Sequence, residues 1–309
     1  MTSHDEAVPG QISGALVRGV GLTGARRRPG RTRKWWVSLL LHGFLIGAAV
    51  IAVFPVFWIL ISSFKDQQEI ISSPVLNVWP DDWQISNYTH VLTDDNHIFV
   101  TWLWNSLVVA FLTTVISVFL AATAAYSFSR YRFPGYRPAL TAFLITQMFP
   151  AAILLVPVYN IILHLGLLNQ KAGLVLAYCT TAVPFCVWML KGYFDTIPIS
   201  LEEAGQIDGL TPFGTFWRIV VPLSLPGLAV TFFYSFITAW NEVAFANILL
   251  VSDKSYTLPV GLQTYVFQFA ADWEKMTAAA VIVTLPAVLV FLVAQRYLVS
   301  GLTRGGVKG

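Results

Sequence analysis

Six apolar runs, each long enough to cross a bilayer, leave this chain few ways to fold. They cover about Trp35–Phe64, Thr101–Phe128, Ala139–Leu163, Leu174–Phe194, Leu225–Leu250 and Thr277–Val299. A helix of roughly 20 apolar residues spans a hydrocarbon core. Charged residues make up only 11% of the chain, where soluble domains carry about a quarter. The pattern predicts an all-α membrane protein with six transmembrane helices. The first run is too long for a signal-peptide core and no small-residue cleavage site follows it, so it reads as a retained span.

Six spans place both termini on one side, and the basic residues choose the side. Fifteen of the nineteen Lys and Arg residues fall on the side of the termini, leaving Lys65, Lys171, Lys254 and Lys275 on the other. That asymmetry predicts cytoplasmic termini. Residues 1–34, rich in Gly, Ser and Arg with a basic cluster at Arg26–Lys34, read as a disordered cytoplasmic tail. The cluster could suit nucleic acid, but beside a span it reads as a topology signal. Residues 35–299 form the permease body and 300–309 a short cytoplasmic tail. Loops 65–100 and 251–275 face outward, and 195–222 faces the cytoplasm. Pro55, Pro150 and Pro157 lie inside spans, where neighbouring helices tolerate breaks and freed carbonyls can line a pathway.

The cytoplasmic stretch Ile197–Pro226 is punctuated like a compact knob. Ser200 and Glu203 match an S-x-x-E capping box. Gly209 suits the left-handed residue that ends a helix. Thr211 followed by Pro212 opens a second short helix. Ala204 and Gly205 leave part of the first helix bare, which predicts close approach by a partner there. Glu202, Glu203 and Asp208 lie within seven positions. A solvated face is the ordinary reading of such a group. However, Asp208 sits near a helix C-terminus, where a carboxylate opposes the macrodipole, and this points to a contact within the knob.

Glu242, beside Trp240 and Asn241, is the one acid firmly inside a span. Such a charge is costly unless paired, protonated or wet. It reads as part of a polar patch on a substrate pathway, as a hydrogen bond between helices, or as a group touching water at a helix end. Trp240 could stack on a sugar ring or belong to an interfacial aromatic belt. Cys179 and Cys186 lie in an apolar run without a C-x-x-C pair, and the five histidines show no metal-ligand spacing. No phosphate-binding G-x-x-x-x-G-K-[ST] loop is present, so no ATP cradle is expected in this chain.

Glu203-Ala204-Gly205, then Asp208-Gly209, nine residues, and Ile219-Val220-Val221-Pro222 resemble the loop motif E-A-A-x-x-D-G…I-x-L-P of bacterial ABC importer permeases. Gly205 and Val221 depart from it by small changes. Asn105-Ser106, the turn Arg130–Arg137, Trp240-Asn241-Glu242, Tyr256-Thr-Leu-Pro-Val-Gly261 and the ending Gly301–Gly309 are similar to the maltose/trehalose-type branch. The resemblance covers about residues 35–309. It implies a type I ABC importer permease fold in a bacterial cytoplasmic (inner) membrane, with no enzyme activity of its own. It also implies a second homologous permease subunit, an ATPase dimer that binds ATP and Mg, an extracytoplasmic sugar-binding protein and surrounding lipid. Glu202, Glu203, Ala204, Gly205, Asp208, Gly209, Ile219 and Pro222 would form the ATPase-coupling site, and Trp240, Asn241 and Glu242 a substrate pathway. The expected cargo is maltose, maltodextrin or a trehalose-like oligosaccharide, with another sugar or a polyol such as glycerol-3-phosphate as the alternative. A secondary transporter would want more intramembrane acids or an inverted repeat, and a polytopic enzyme clustered His, Asp or Glu at a membrane face.

Overall fold

A computed structural model describes residues 35–72, 77–266 and 271–305. The basic tail 1–34, residues 306–309 and parts of both expected outer loops lie outside the described residues. The chain divides into two units, 1–53 and 54–309. The described part of the first is helical, and its apolar side chains are almost all exposed.

Helix α1 covers Trp35–Ser62, α2 Gln67–Ser72 and α3 Ser86–Arg130. Next come α4 (Tyr136–Met148), α5 (Ala151–His164) and α6 (Lys171–Phe194). The knob holds α7 (Ile199–Ile207) and α8 (Pro212–Thr215), then a π turn at Phe216–Val220 and the short α9 (Val221–Leu223). The remainder comprises α10 (Leu225–Trp240), α11 (Ala244–Leu249), α12 (Leu258–Leu262) and α13 (Trp273–Gly305). No named strand occurs among the described residues. Among the described residues, four helices are long and apolar enough to cross a membrane, and up to six spans result when each of two bent pairs counts as one.

Several expected boundaries move. The third span is two helices, because Pro150 has no N–H to continue α4 and restricts Phe149 to extended backbone (φ −75°, ψ 127°). The helix of the second span, α3, begins at Ser86 and is interrupted by left-handed backbone at Asn96 and His97 (φ 57° and 63°), so most of residues 86–100 are helical and the expected loop 65–100 is shorter. The fifth span stops at Asn241 and resumes as α11. Loop 251–275 contains α12 and an isolated bridge between Val266 and Ala271. The expected tail from residue 300 is helical through Gly305.

Among the described residues, two apolar clusters hold the second unit together. One, at the knob end, joins Ala121, Ala122, Ala125 and Tyr126 of α3 to Cys186, Val187, Leu190 and Phe194 of α6 and to Phe216 and Val220. Small residues on α3 let α6 approach closely, which is how helices pack in lipid. The other, at the far end, joins Phe99 and Trp102 to Leu174, Tyr178, Phe236, Trp240, Phe245 and Leu258.

Candidate functional site

The knob's first helix starts two residues earlier than the capping box predicts. Pro198 occupies the N-cap position (φ −60°, ψ 130°) without a side-chain cap bond, and Ser200 lies within the first turn. The proline ring already sets the backbone for helix entry, so the S-x-x-E pattern has no role as a box here.

The C-terminal signal is realised in full. Gly209 has φ 91°, its N–H donates to the Gln206 carbonyl, and the Leu210 N–H donates to the Gly205 carbonyl, both at 3.0 Å. These are the two bonds of a Schellman motif. Asp208 is the C-cap residue, and its side chain is exposed. Thr211 caps α8 as expected, its Oγ1 accepting from the Gly214 N–H at 3.1 Å, with Pro212 at the first turn.

Gly205 corrects the sequence reading. It is buried and faces inward. A Cβ there would strike the Ile219 side chain and press on Leu210 Cδ1 at 3.3 Å. The close approach that a small residue permits is therefore made inside the knob, between the two halves of the motif. Glu202 also turns inward. Its side chain is 5% exposed and ion-paired at 2.5 Å with Arg130 Nε, whose own side chain is 7% exposed. Tyr126 donates its hydroxyl to the other carboxylate oxygen at 2.8 Å. Arg130 also donates to the Ile197 carbonyl at 3.1 Å and to Ser129 Oγ at 2.8 Å. Ser129 in turn donates to Asp195 at 2.6 Å. Partial burial pushes the Asp195 carboxyl up, but the hydrogen bonds from Lys191 and Ser129 outweigh it and hold the group below its ordinary range.

The knob's exposed surface carries Glu203, Ala204, Asp208, Gly209 and Pro222. It also carries two large apolar side chains the sequence reading passed over: Ile207 is 86% and Phe213 70% exposed. Apolar residues in a polar interruption between spans were the available signal. Arg130 and Tyr126, four apart at the end of an apolar run, likewise share one helix face with the anchoring role.

The three residues expected on a substrate pathway do not converge. Trp240 is buried and stacks on Phe236, with ring centroids 5.6 Å apart and planes inclined by 16°. Packed this way, its face is not free for a sugar. Glu242 lies at the break after α10, where its carboxylate accepts from the N–H groups of Phe245 at 2.9 Å and Ala246 at 3.3 Å. A carboxylate at a helix start satisfies otherwise orphaned donors, so this acid finds backbone partners within its own segment. Asn241 is exposed and donates to the Ile237 carbonyl at 2.9 Å.

Residues 114–304 match the family model described as "Binding-protein-dependent transport system inner membrane component". The chain is 40% identical over 271 residues to the inner membrane ABC transporter permease protein YcjP of Escherichia coli K12, covering 86% of this chain and 96% of that one. It is 41% identical over 290 residues to the maltose/maltodextrin transport system permease protein MalG of Vibrio vulnificus, covering 90% and 96%. Its fold matches that of a bacterial ABC transporter involved in import of the acidic polysaccharide alginate, with TM-score 0.75 at 24% identity over 87% of this chain and 99% of that one. The chain belongs to the family of binding-protein-dependent transport system inner membrane components and is a multi-pass ABC importer permease.

Proposed function

We propose that this permease imports an oligosaccharide of the maltose or maltodextrin kind. In this reading it forms half of a translocation pathway with a second, homologous permease. Its termini and knob face the cytoplasm, and ATP and Mg are bound and hydrolysed by separate subunits seated on the knob. An extracytoplasmic binding protein delivers the sugar. The similarity to maltose permeases supports the choice of cargo.

The observation that carries this reading is the two-sided knob. Its inner side is locked by the Arg130–Glu202 pair and by Ile219 against Gly205. Its outer side presents Ile207 and Phe213 beside Glu203. A polar element with two nearly bare apolar side chains suits insertion into a cleft. ATP would close the ATPase pair, draw the two knobs together and rock the spans toward the outward-facing state. Sugar would then pass from the binding protein into the cavity, and hydrolysis would restore the inward-facing state.

The test is purification of the assembled complex and measurement of which sugar-loaded binding protein stimulates its ATP hydrolysis. Maltodextrin-loaded protein should stimulate. In Ile207→Asp or Phe213→Asp, loss of apolar burial worth about 1.5–3 kcal/mol should weaken ATPase association roughly ten- to hundredfold. Undiminished association in both variants would overturn the docking role of the knob.

A further inference from the structure

Two motifs that the knob does not use meet in the N-terminal half of α3, remote from the knob. Asn105, 1% exposed, donates from Nδ2 to the carbonyls of Lys254 and Tyr256, both at 2.9 Å. Ser106 Oγ accepts from the Leu258 N–H at 2.7 Å. Trp102 donates from Nε1 to the Asp253 carbonyl at 2.7 Å, and its ring lies where a Cβ on Gly261 would be. The Asn105-Ser106 pair and the Tyr256–Gly261 segment are therefore two halves of one clamp. At its other end α3 is clamped to the knob through Tyr126, Ser129 and Arg130, which bind Glu202, Asp195 and Ile197.

Between the clamps α3 carries no residue that would bend it, its left-handed residues Asn96 and His97 lying beyond the far clamp. Among the described residues it is the only helix longer than α7 with neither Pro nor Gly, the residues at which helices bend. Trp102 and Arg130 are separated by about 42 Å at 1.5 Å per residue. The covalent route out of the knob is compliant by comparison. It passes through a π turn at Phe216–Val220 and then bends by 78° between the Pro212–Leu223 stretch and α10.

We infer that Asn105, Trp102 and Ser106 are positioning residues that make the Asp253–Gly261 segment follow α3, and that α3 carries the knob's displacement across the membrane as a rod. The inference rests on the importer reading above. Displacement of the knob reaches the far segment because the far clamp and the Arg130–Glu202 pair are buried and the helix between them lacks a hinge. Severing the far clamp or softening the rod leaves ATPase docking intact while the far segment stops responding.

The test uses the complete complex with Lys254→Cys, an exposed position in the segment, in a Cys179→Ala/Cys186→Ala background. Maleimide labelling is compared without nucleotide and with ATP plus vanadate. Val115 and Ile116 are exposed in mid-α3, so Val115→Gly/Ile116→Gly softens the rod without opening a cavity, and Val115→Ala/Ile116→Ala is its control. The labelling ratio should fall toward one in the glycine pair and in Asn105→Ala, with basal ATP hydrolysis unchanged in the glycine pair, and should keep its parental value in the alanine pair. A parental ratio in both the glycine pair and Asn105→Ala would overturn the rod alone. Should the glycine pair fail to assemble, a parental ratio in Asn105→Ala overturns it by itself. No difference between the two states in the parent would overturn the importer reading together with the inference.

Discussion

Replacing Glu202 by Ala tests how the knob is held. The substitution leaves Arg130 buried, with Ser129 Oγ and the Ile197 carbonyl as its remaining partners, and leaves the Tyr126 hydroxyl without its acceptor. Removing one member of a buried pair costs about 3–5 kcal/mol. Because Arg130 keeps two hydrogen bonds, the lower end applies, near 3 kcal/mol. At 1.36 kcal/mol per tenfold this corresponds to about a 150-fold rise in local opening of the knob. Hydrogen exchange reads it directly at the amides of Asp208, Gly209 and Leu210, which are bonded to the Ala204, Gln206 and Gly205 carbonyls. Those amides should exchange about 150-fold faster in Glu202→Ala, and amides in the middle of α3 should be unaffected. Glu202→Gln, which keeps the acceptor without the charge, should fall between. The double variant Arg130→Leu/Glu202→Leu should return close to the parent, since replacing both members by apolar side chains removes the unpaired charge. Parental protection in Glu202→Ala would refute the argument that this pair fastens α7 to α3.

Three further outcomes are expected. Gly205→Ala forces the tip of Ile219 aside and should cost about 1–3 kcal/mol in the thermal stability of the knob; Ile219→Val, which removes that tip, should restore most of the loss. At Gly209, open space but φ 91° makes the penalty one of backbone alone, so Gly209→Ala should cost about 1 kcal/mol and Gly209→Asn less, as asparagine tolerates the left-handed region. The lowered folded-state value of Asp195 means that its contribution is present above the ordinary aspartate range near pH 4 and is lost as pH falls through the folded value. Acid titration of knob stability should accordingly lose this component in Asp195→Asn.

What the sequence revealed depended on whether the physics was local. Spans showed as apolar runs because the bilayer acts on each segment separately. Gly209 and Thr211-Pro212 were legible because a left-handed cap and a helix start need particular residues wherever they occur. Ser200 and Glu203 misled for the same reason: the pattern was right, but Pro198 had already set the entry of α7 two residues earlier. The direction in which Gly205 points is settled by Ile219, and that of Glu202 by Arg130, 72 residues away. Tertiary pairings of this kind leave no mark in a local window. Glu242 read as an intramembrane charge because an unbroken span was assumed, whereas the break at residues 241–243 gives it backbone donors. The absence of Pro and Gly from α3 was visible throughout, but its meaning needed both clamps.

The π turn at Phe216–Val220 bears on the nine residues that separate Gly209 from Ile219. Each residue advances a helix by about 100°. Deleting one residue between those positions would swing Ile219 about a quarter of a revolution away from Gly205, and inserting one would swing it as far the other way. The interval therefore works as a ruler: its length is constrained in its own right, apart from the roles of Leu210, Thr211, Phe213 and Phe216 within it, and a single-codon insertion or deletion there should be more damaging than most substitutions.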